Sequence, residues 1–159
     1  MILPGHVAAP VLASRYLNID CRLAVIAGLM PDLVDKPLLY VLHVSQWGRV
    51  PAHSLAALGA STLSVALAGR VLRRDWRWGA SWVVGYSLHL LCDLLPPKGA
   101  LPWFWPLERY AAYVSDARPW FLGGGPVPWF SLVAEIALVA ATVAVVWAER
   151  RGRRGNPAK

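Results

Sequence analysis

His89 and Asp93 sit four residues apart in the apolar stretch from Trp82 to Leu95, WVVGYSLHLLCDLL. On a helix, positions i and i+4 lie one above the other on the same face. An imidazole and a carboxylate stacked inside a membrane-grade apolar helix are expensive, so a specific partner is expected, and a metal ion is the partner this pair predicts. Histidine and carboxylate without cysteine suit zinc, manganese or iron, and carboxylate-rich sets suit magnesium or manganese. With an open coordination position such an ion lowers the pKa of bound water and polarises a phosphoryl or carbonyl oxygen. Two ions together suit phosphoester displacement. Cys21 and Cys92 have no CxxC neighbour, so neither a disulfide framework nor a thiolate zinc site is expected, and both read as inert buried thiols.

The elements that must position these groups belong in a membrane. Apolar residues make up 57% of the chain and charged residues 16%, below the quarter or so usual for soluble domains. With a mean hydropathy of +0.44 this favours an integral membrane protein over a compact soluble helical domain. The net charge of +7 is gathered in two places, Arg70, Arg73, Arg74 and Arg77, and a tail of Arg150, Arg151, Arg153, Arg154 and Lys159. Clusters flanking apolar spans are cytoplasmic topology signals and meet anionic headgroups. No nucleic-acid recognition motif accompanies them, so a nucleic-acid partner is not expected. The start, MILPGH, lacks the basic region of a cleaved signal peptide.

Residues 4–17 read as a short helix with Pro4 in its first turn. Asn18 or Asp20 caps a second helix that runs to about Met30. Neither reaches the roughly 20 residues that span a bilayer, and as a hairpin they would return Asp32 to the level of His6. The run PDLVDKP at 31–37 reads as a turn, with Asp32 or Asp35 capping a helix over 37–46 and His43 a core or interfacial histidine. Ser54 caps the first apolar span at 54–69; the others are 79–96 and 127–148, separated by an Arg-rich loop at 70–78 and an aromatic connection at 98–126. Trp103, Trp105, Trp120 and Trp129 suit the headgroup level. The expected fold is all-α, a polytopic membrane helical bundle of about three full spans plus short N-terminal helices packed at the outer membrane face. Residues 1–149 form one membrane-embedded domain and 150–159 a basic, flexible cytoplasmic tail.

The positive-inside rule places the loop at 70–78 and the C-terminus in the cytoplasm of a multi-pass inner (cytoplasmic) membrane protein. His53 then stands at the outer mouth of the first span, with Asp93 about 5 Å and His89 about 10 Å below the outer end of the second at 1.5 Å per residue. The hairpin brings His6 and Asp32 to that level, and Glu135 in the third span can reach it. A lone histidine on an apolar face is ordinarily a core residue, but five ligand-type side chains from four segments at one depth predict a site for one or two divalent ions, zinc first, with manganese, magnesium and iron as alternatives.

These residues form a pattern: the early His6, PD-x-x-D at 31–35, Arg49 with His53-Ser54, His89 with Asp93 in an apolar helix, then Gly99 and Trp105-Pro106. Over roughly residues 1–108 this resembles the YdjM-type inner-membrane metal-dependent hydrolases, a group also described as LexA-binding. The H-x-x-x-D element is also similar in ligand pattern to zinc-dependent phospholipase C and related nucleases. The resemblance implies metal-ligand roles for His6, Asp32, His53, His89 and Asp93, with Asp35 a ligand or a support to one. Ala52 stands where the family more often has threonine, and two residues rather than one separate the acids of the PD motif, which ranks Asp35 below Asp32.

The function expected is a membrane-embedded, metal-dependent hydrolase acting on a lipid or lipid-linked phosphoester at the outer headgroup level. Arg49 would steady the phosphate, since guanidinium matches phosphate oxygens in bidentate fashion, or else snorkel. Asp35 or Glu135 would act as general base. One alternative is a non-catalytic membrane protein whose polar cluster is structural and whose basic cytoplasmic face binds a regulatory protein, as the LexA label suggests. Another is a small transporter with His89, Asp93 and Glu135 on an ion path.

Overall fold

The computed structural model describes residues 3–43, 50–73, 75–94, 101–108 and 129–155, which form helices and turns and no strand. The helices are α1 (Leu3–Tyr16), α2 (Cys21–Tyr40), α3 (Leu55–Arg73), α4 (Arg77–Leu94) and α5 (Trp129–Gly155). Arg49, Gly99, Trp120 and most of the aromatic connection lie outside the described residues.

Asp20 caps α2, accepting from the N–H groups of Arg22 and Leu23 at 2.8 and 3.0 Å. Its own N–H donates to Ser81 Oγ of α4, which fixes the hairpin between α1 and α2 against the start of α4. Ser54 caps α3 through the Ala57 N–H, as its position before the apolar run predicts.

The expected turn at 31–37 does not form. One helix runs from Cys21 to Tyr40 through Pro31 and Pro37, so Asp32 and Asp35 lie within it and cap nothing. Proline ordinarily ends a helix because it lacks an N–H and crowds the preceding turn. Pro31 removes the donor to the Ala27 carbonyl, and the next carbonyl, that of Gly28, accepts from His89 Nδ1 at 2.6 Å, which ties this turn to α4. Sheltered helices tolerate proline where neighbouring helices pack against them in this way. The helix ends with Val41 and Leu42 donating to the Pro37 carbonyl and with His43 in the left-handed region at φ 51°, exposed rather than in the core.

α4 is the centre of the bundle and packs against α1, α2 and α3. Its inward face carries Trp82, Tyr86, His89, Leu90 and Asp93, all buried. Trp82, Tyr86 and Leu90 join Ala27 of α2 and Leu101 of the turn at 101–108 in the apolar core. Contact with α2 is set by Gly85, where an added Cβ would lie 2.0 Å from the Ala24 carbonyl oxygen, the close approach small residues permit between helices. α5 packs only on α1 among the described helices. Its inward stripe is polar: Glu135 accepts from the Gly5 N–H at 2.9 Å, Thr142 faces the Ala8 carbonyl, and Glu149 pairs with Arg15 at 3.3 Å.

Two helices, not three, are long and apolar enough to cross a membrane, Leu55–Arg73 and Trp129–Gly152, and only 6% and 17% of their apolar stretches is buried. The expected span over 79–96 is α4, which falls short because Ser, Gly, His89 and Asp93 interrupt its apolar run; these polar residues sit on its face toward the bundle. α5 also continues to Gly155, so the basic tail expected from Arg150 begins as helix.

Candidate metal centre

Four segments converge at one end of the bundle. His6 comes from the first turn of α1, and Asp32 and Asp35 from the second half of α2. His53 comes from the turn before α3, and His89 and Asp93 from the last two turns of α4. The chain reverses between successive helices, so these positions meet while Arg15, Arg77 and Glu149 meet at the other end, where Arg77 bonds Asn18. The hairpin reading anticipates this meeting of His6 with Asp32, although the helix that carries Asp32 is longer than expected.

His53, His89 and Asp93 present ligand atoms all within 4.8 Å of one another, and so do His6, Asp32 and His89. The closest approach is between two imidazoles, with His53 Nε2 3.1 Å from His89 Nε2. Asp93 Oδ2 lies 3.5 Å from His53 Nε2 and Asp93 Oδ1 3.4 Å from His6 Nε2. Asp32 Oδ1 lies 3.8 Å from His53 Nε2. The three histidines are 0–2% exposed and Asp93 6%, against 12% for Asp32, so the cluster opens on the Asp32 side.

Neighbouring groups set the tautomers. His53 Nδ1 is 2.7 Å from Asp35 Oδ2 and His89 Nδ1 2.6 Å from the Gly28 carbonyl, so each ring donates through Nδ1–H and, when neutral, turns a bare Nε2 inward. Two such lone pairs at 3.1 Å repel unless a proton or a cation lies between them. Burial draws the His53 pKa down, but its hydrogen bonds to Asp35 and Asp93 and their charges outweigh this and leave it above the ordinary imidazole value. His6 stacks on His89 with ring centroids 4.0 Å apart, and its buried Nδ1 has no hydrogen-bond partner. Inward lone pairs, two carboxylates and an orphaned imidazole nitrogen fit a divalent cation, and the absence of a thiolate from the groupings keeps the donor set to nitrogen and oxygen.

Asp35 is fully buried and committed to the turn that carries His53. Its Oδ1 accepts from the Ala52 N–H at 2.8 Å and its Oδ2 from the backbone and ring of His53. Glu135 reaches the first turn of α1, beside His6, and belongs to neither ligand grouping. Two neighbours of the site went unnoticed in the sequence. Tyr86 donates its hydroxyl to the Ala52 carbonyl, a contact between distant segments that no local spacing signals. Lys36 holds Asp32 Oδ2 at 2.5 Å, and its i+4 spacing from Asp32 was a visible signal.

The chain has no significant match among curated proteins or solved structures. A family model for the YdjM inner membrane protein does match, over residues 2–154, a span that takes in every member of the cluster; the chain belongs to that family.

Proposed function

We propose that the chain is a membrane-embedded, metal-dependent hydrolase of phosphoesters, lipid-borne or lipid-linked. The observation that carries this reading is the facing pair of Nε2 atoms of His53 and His89, with both Nδ1 atoms tied off. His6, Asp32, His53, His89 and Asp93 would hold the ion or ions, zinc first by donor type and manganese, magnesium or iron after it. A divalent ion so held supplies an acidified water and a polarising charge for a phosphoryl oxygen. The chain's own part is to hold the ligands and bury them, with Asp32 the least covered. Asp35 serves as the carboxylate that orients His53, since both of its oxygens are engaged there. Glu135 keeps the start of α1, and with it His6, in place. Arg49 remains a candidate for steadying the phosphate.

Family membership and the two apolar helices support an inner-membrane location. We read the protein as multi-pass. α3 and α5 both run from the cluster end to the arginine end, so α4 carries the chain back through the same depth, enclosed by its neighbours. The arginine end, with the C-terminus, then lies in the cytoplasm and the cluster at the outer level. We take residues 1–149 as one membrane-embedded unit, with the basic segment from Arg150 starting as a continuation of α5.

A second reading has its own support. The cluster is so closed that it could serve only to hold short helices together, with the exposed arginines of α3 and α5 docking a regulatory protein. Elemental analysis of detergent-purified protein beside His89→Ala/Asp93→Ala separates the readings. One or two ions per chain, lost in the variant, directs screening to phosphoesters with that metal. A folded wild type that takes up no metal on reconstitution removes the hydrolase.

A further inference from the structure

Lys36 is the cation at the open edge of the cluster. Its ammonium lies 2.5 Å from Asp32 Oδ2 while the other oxygen of Asp32 faces His53 Nε2, so one carboxylate joins a half-exposed lysine to the buried histidines. Lys36 is 49% exposed and Asp32 12%, while the histidines and Asp93 are nearly closed off. Among the described residues, the least buried member of the cluster therefore lies beside Lys36. Every described arginine stands elsewhere, at helix ends remote from the cluster or on the far turn of α2, so the positive charge beside the opening comes from this side chain among the described residues.

An ordinary i, i+4 ion pair would satisfy a lysine in the same way, and on an exposed helix face such pairs are worth little. This pair differs because its acid belongs to a ligand grouping. An ion held through the Asp32 oxygen that faces His53 would draw charge from that carboxylate and loosen its hold on the lysine. The ammonium, a compact point charge on a flexible four-carbon stem, has three donors, of which Asp32 engages one, and offers the others at the open edge. That is an arrangement for a doubly charged oxyanion, which takes charge-assisted hydrogen bonds from lysine.

We infer that Lys36 and the opening beside Asp32 form an oxyanion subsite that receives a phosphate-type group entering the cluster. The inference rests on the metal-site reading above and adds the residue that selects an anionic substrate.

The test uses the full chain in detergent, loaded with zinc or manganese, with metal content by elemental analysis and anion binding by calorimetry. Inorganic phosphate probes a free ligand and phosphatidic acid in mixed micelles a lipid-borne one. In Lys36→Gln the metal content stays at the wild-type level while the dissociation constant for the bound anion rises about tenfold or more, and Lys36→Arg, which keeps the charge, recovers most of the loss. Weakening with both probes marks a subsite open to free phosphate; weakening with the micellar lipid alone marks a headgroup site. Unchanged anion affinity in Lys36→Gln with metal retained overturns the subsite and leaves the metal centre standing. So does a metal-loaded wild type that binds neither probe, while metal lost together with the anion in Lys36→Gln makes Lys36 a structural partner of Asp32. A wild type that holds no metal removes both readings at once.

Discussion

His53 and His89 face each other across 3.1 Å through their Nε2 atoms, because Asp35 accepts from Nδ1–H of one ring and the Gly28 carbonyl from Nδ1–H of the other. Helix α2 supplies both of those acceptors, and helix α4 or the turn before α3 supplies the rings. The orientation of the two imidazoles is thus a property of how α2 lies against its neighbours. Carboxylates behind a ligating histidine typically account for 10–100-fold in metal affinity. Asp35→Asn keeps the shape and removes the charge behind His53, so zinc affinity measured by chelator competition should fall within about that range. Wild-type affinity in this variant would mean that His53 is not a ligand.

Metal uptake should depend on pH with a definite sign. His53 holds its proton above the ordinary imidazole value of 6.5, because Asp35 and Asp93 favour the charged ring more than burial opposes it. A metal ion needs that ring bare at Nε2, so binding expels the proton wherever His53 is charged. Below the raised pKa the apparent affinity should fall by about tenfold for each unit of decreasing pH, and above it should level off. Calorimetry in buffers of different ionisation enthalpy reads the released proton directly. A flat profile between pH 5 and 8 would show that His53 is neutral before metal arrives.

The sequence made the site easier to see than the fold that carries it. His6, Asp32, His53, His89 and Asp93 were recognisable because ionisable groups are conspicuous in apolar surroundings and because reversing helices return to a common level. The caps of α2 and α3 were equally plain, since Asp20 and Ser54 act on their own next turn. The passage of α2 through Pro31 and Pro37 was not, because it is set by packing against α4, where His89, 61 residues away, bonds the Gly28 carbonyl. The same holds for α4, whose composition resembles a weak span until α1, α2 and α3 are seen around it. The commitment of Asp35 to Ala52 and His53 depends on the path of the turn before α3, which no periodicity encodes.

The α2–α4 contact makes a second kind of prediction. A Cβ at Gly85 would meet the Ala24 carbonyl oxygen, carbon and Cα at 2.0–2.8 Å, all backbone and unable to step aside. Gly85→Ala should therefore push the helices apart, cost about 1–3 kcal/mol or more, and withdraw His89 from Gly28. The expected readout is a lowered thermal midpoint in detergent with metal content reduced in parallel. Gly59 in α3 is the matched control: a Cβ there meets nothing within 4 Å, and Gly59→Ala should be neutral or stabilising by about 0.5–1 kcal/mol through helix propensity. Equal behaviour of the two variants would contradict the close crossing.

Glu135 decides between anchoring and proton transfer. Its Oε1 accepts the Gly5 N–H in the first turn of α1, one residue from His6, and it sits on α5, which packs on α1 among the described helices. An acceptor at a helix start is favourable to both the free N–H groups and the helix dipole. Glu135→Gln keeps an acceptor carbonyl, so α1 should stay docked, metal content should match wild type, and the thermal midpoint should fall by no more than a few degrees. Glu135→Ala leaves that buried N–H without its partner at a cost of about 1–3 kcal/mol, and metal retention should drop as His6 loosens. If phosphoester hydrolysis is found, its rate completes the distinction. An anchoring glutamate loses little activity as glutamine, whereas a general base loses about 10²–10⁴-fold with metal still bound, because an amide cannot take the proton.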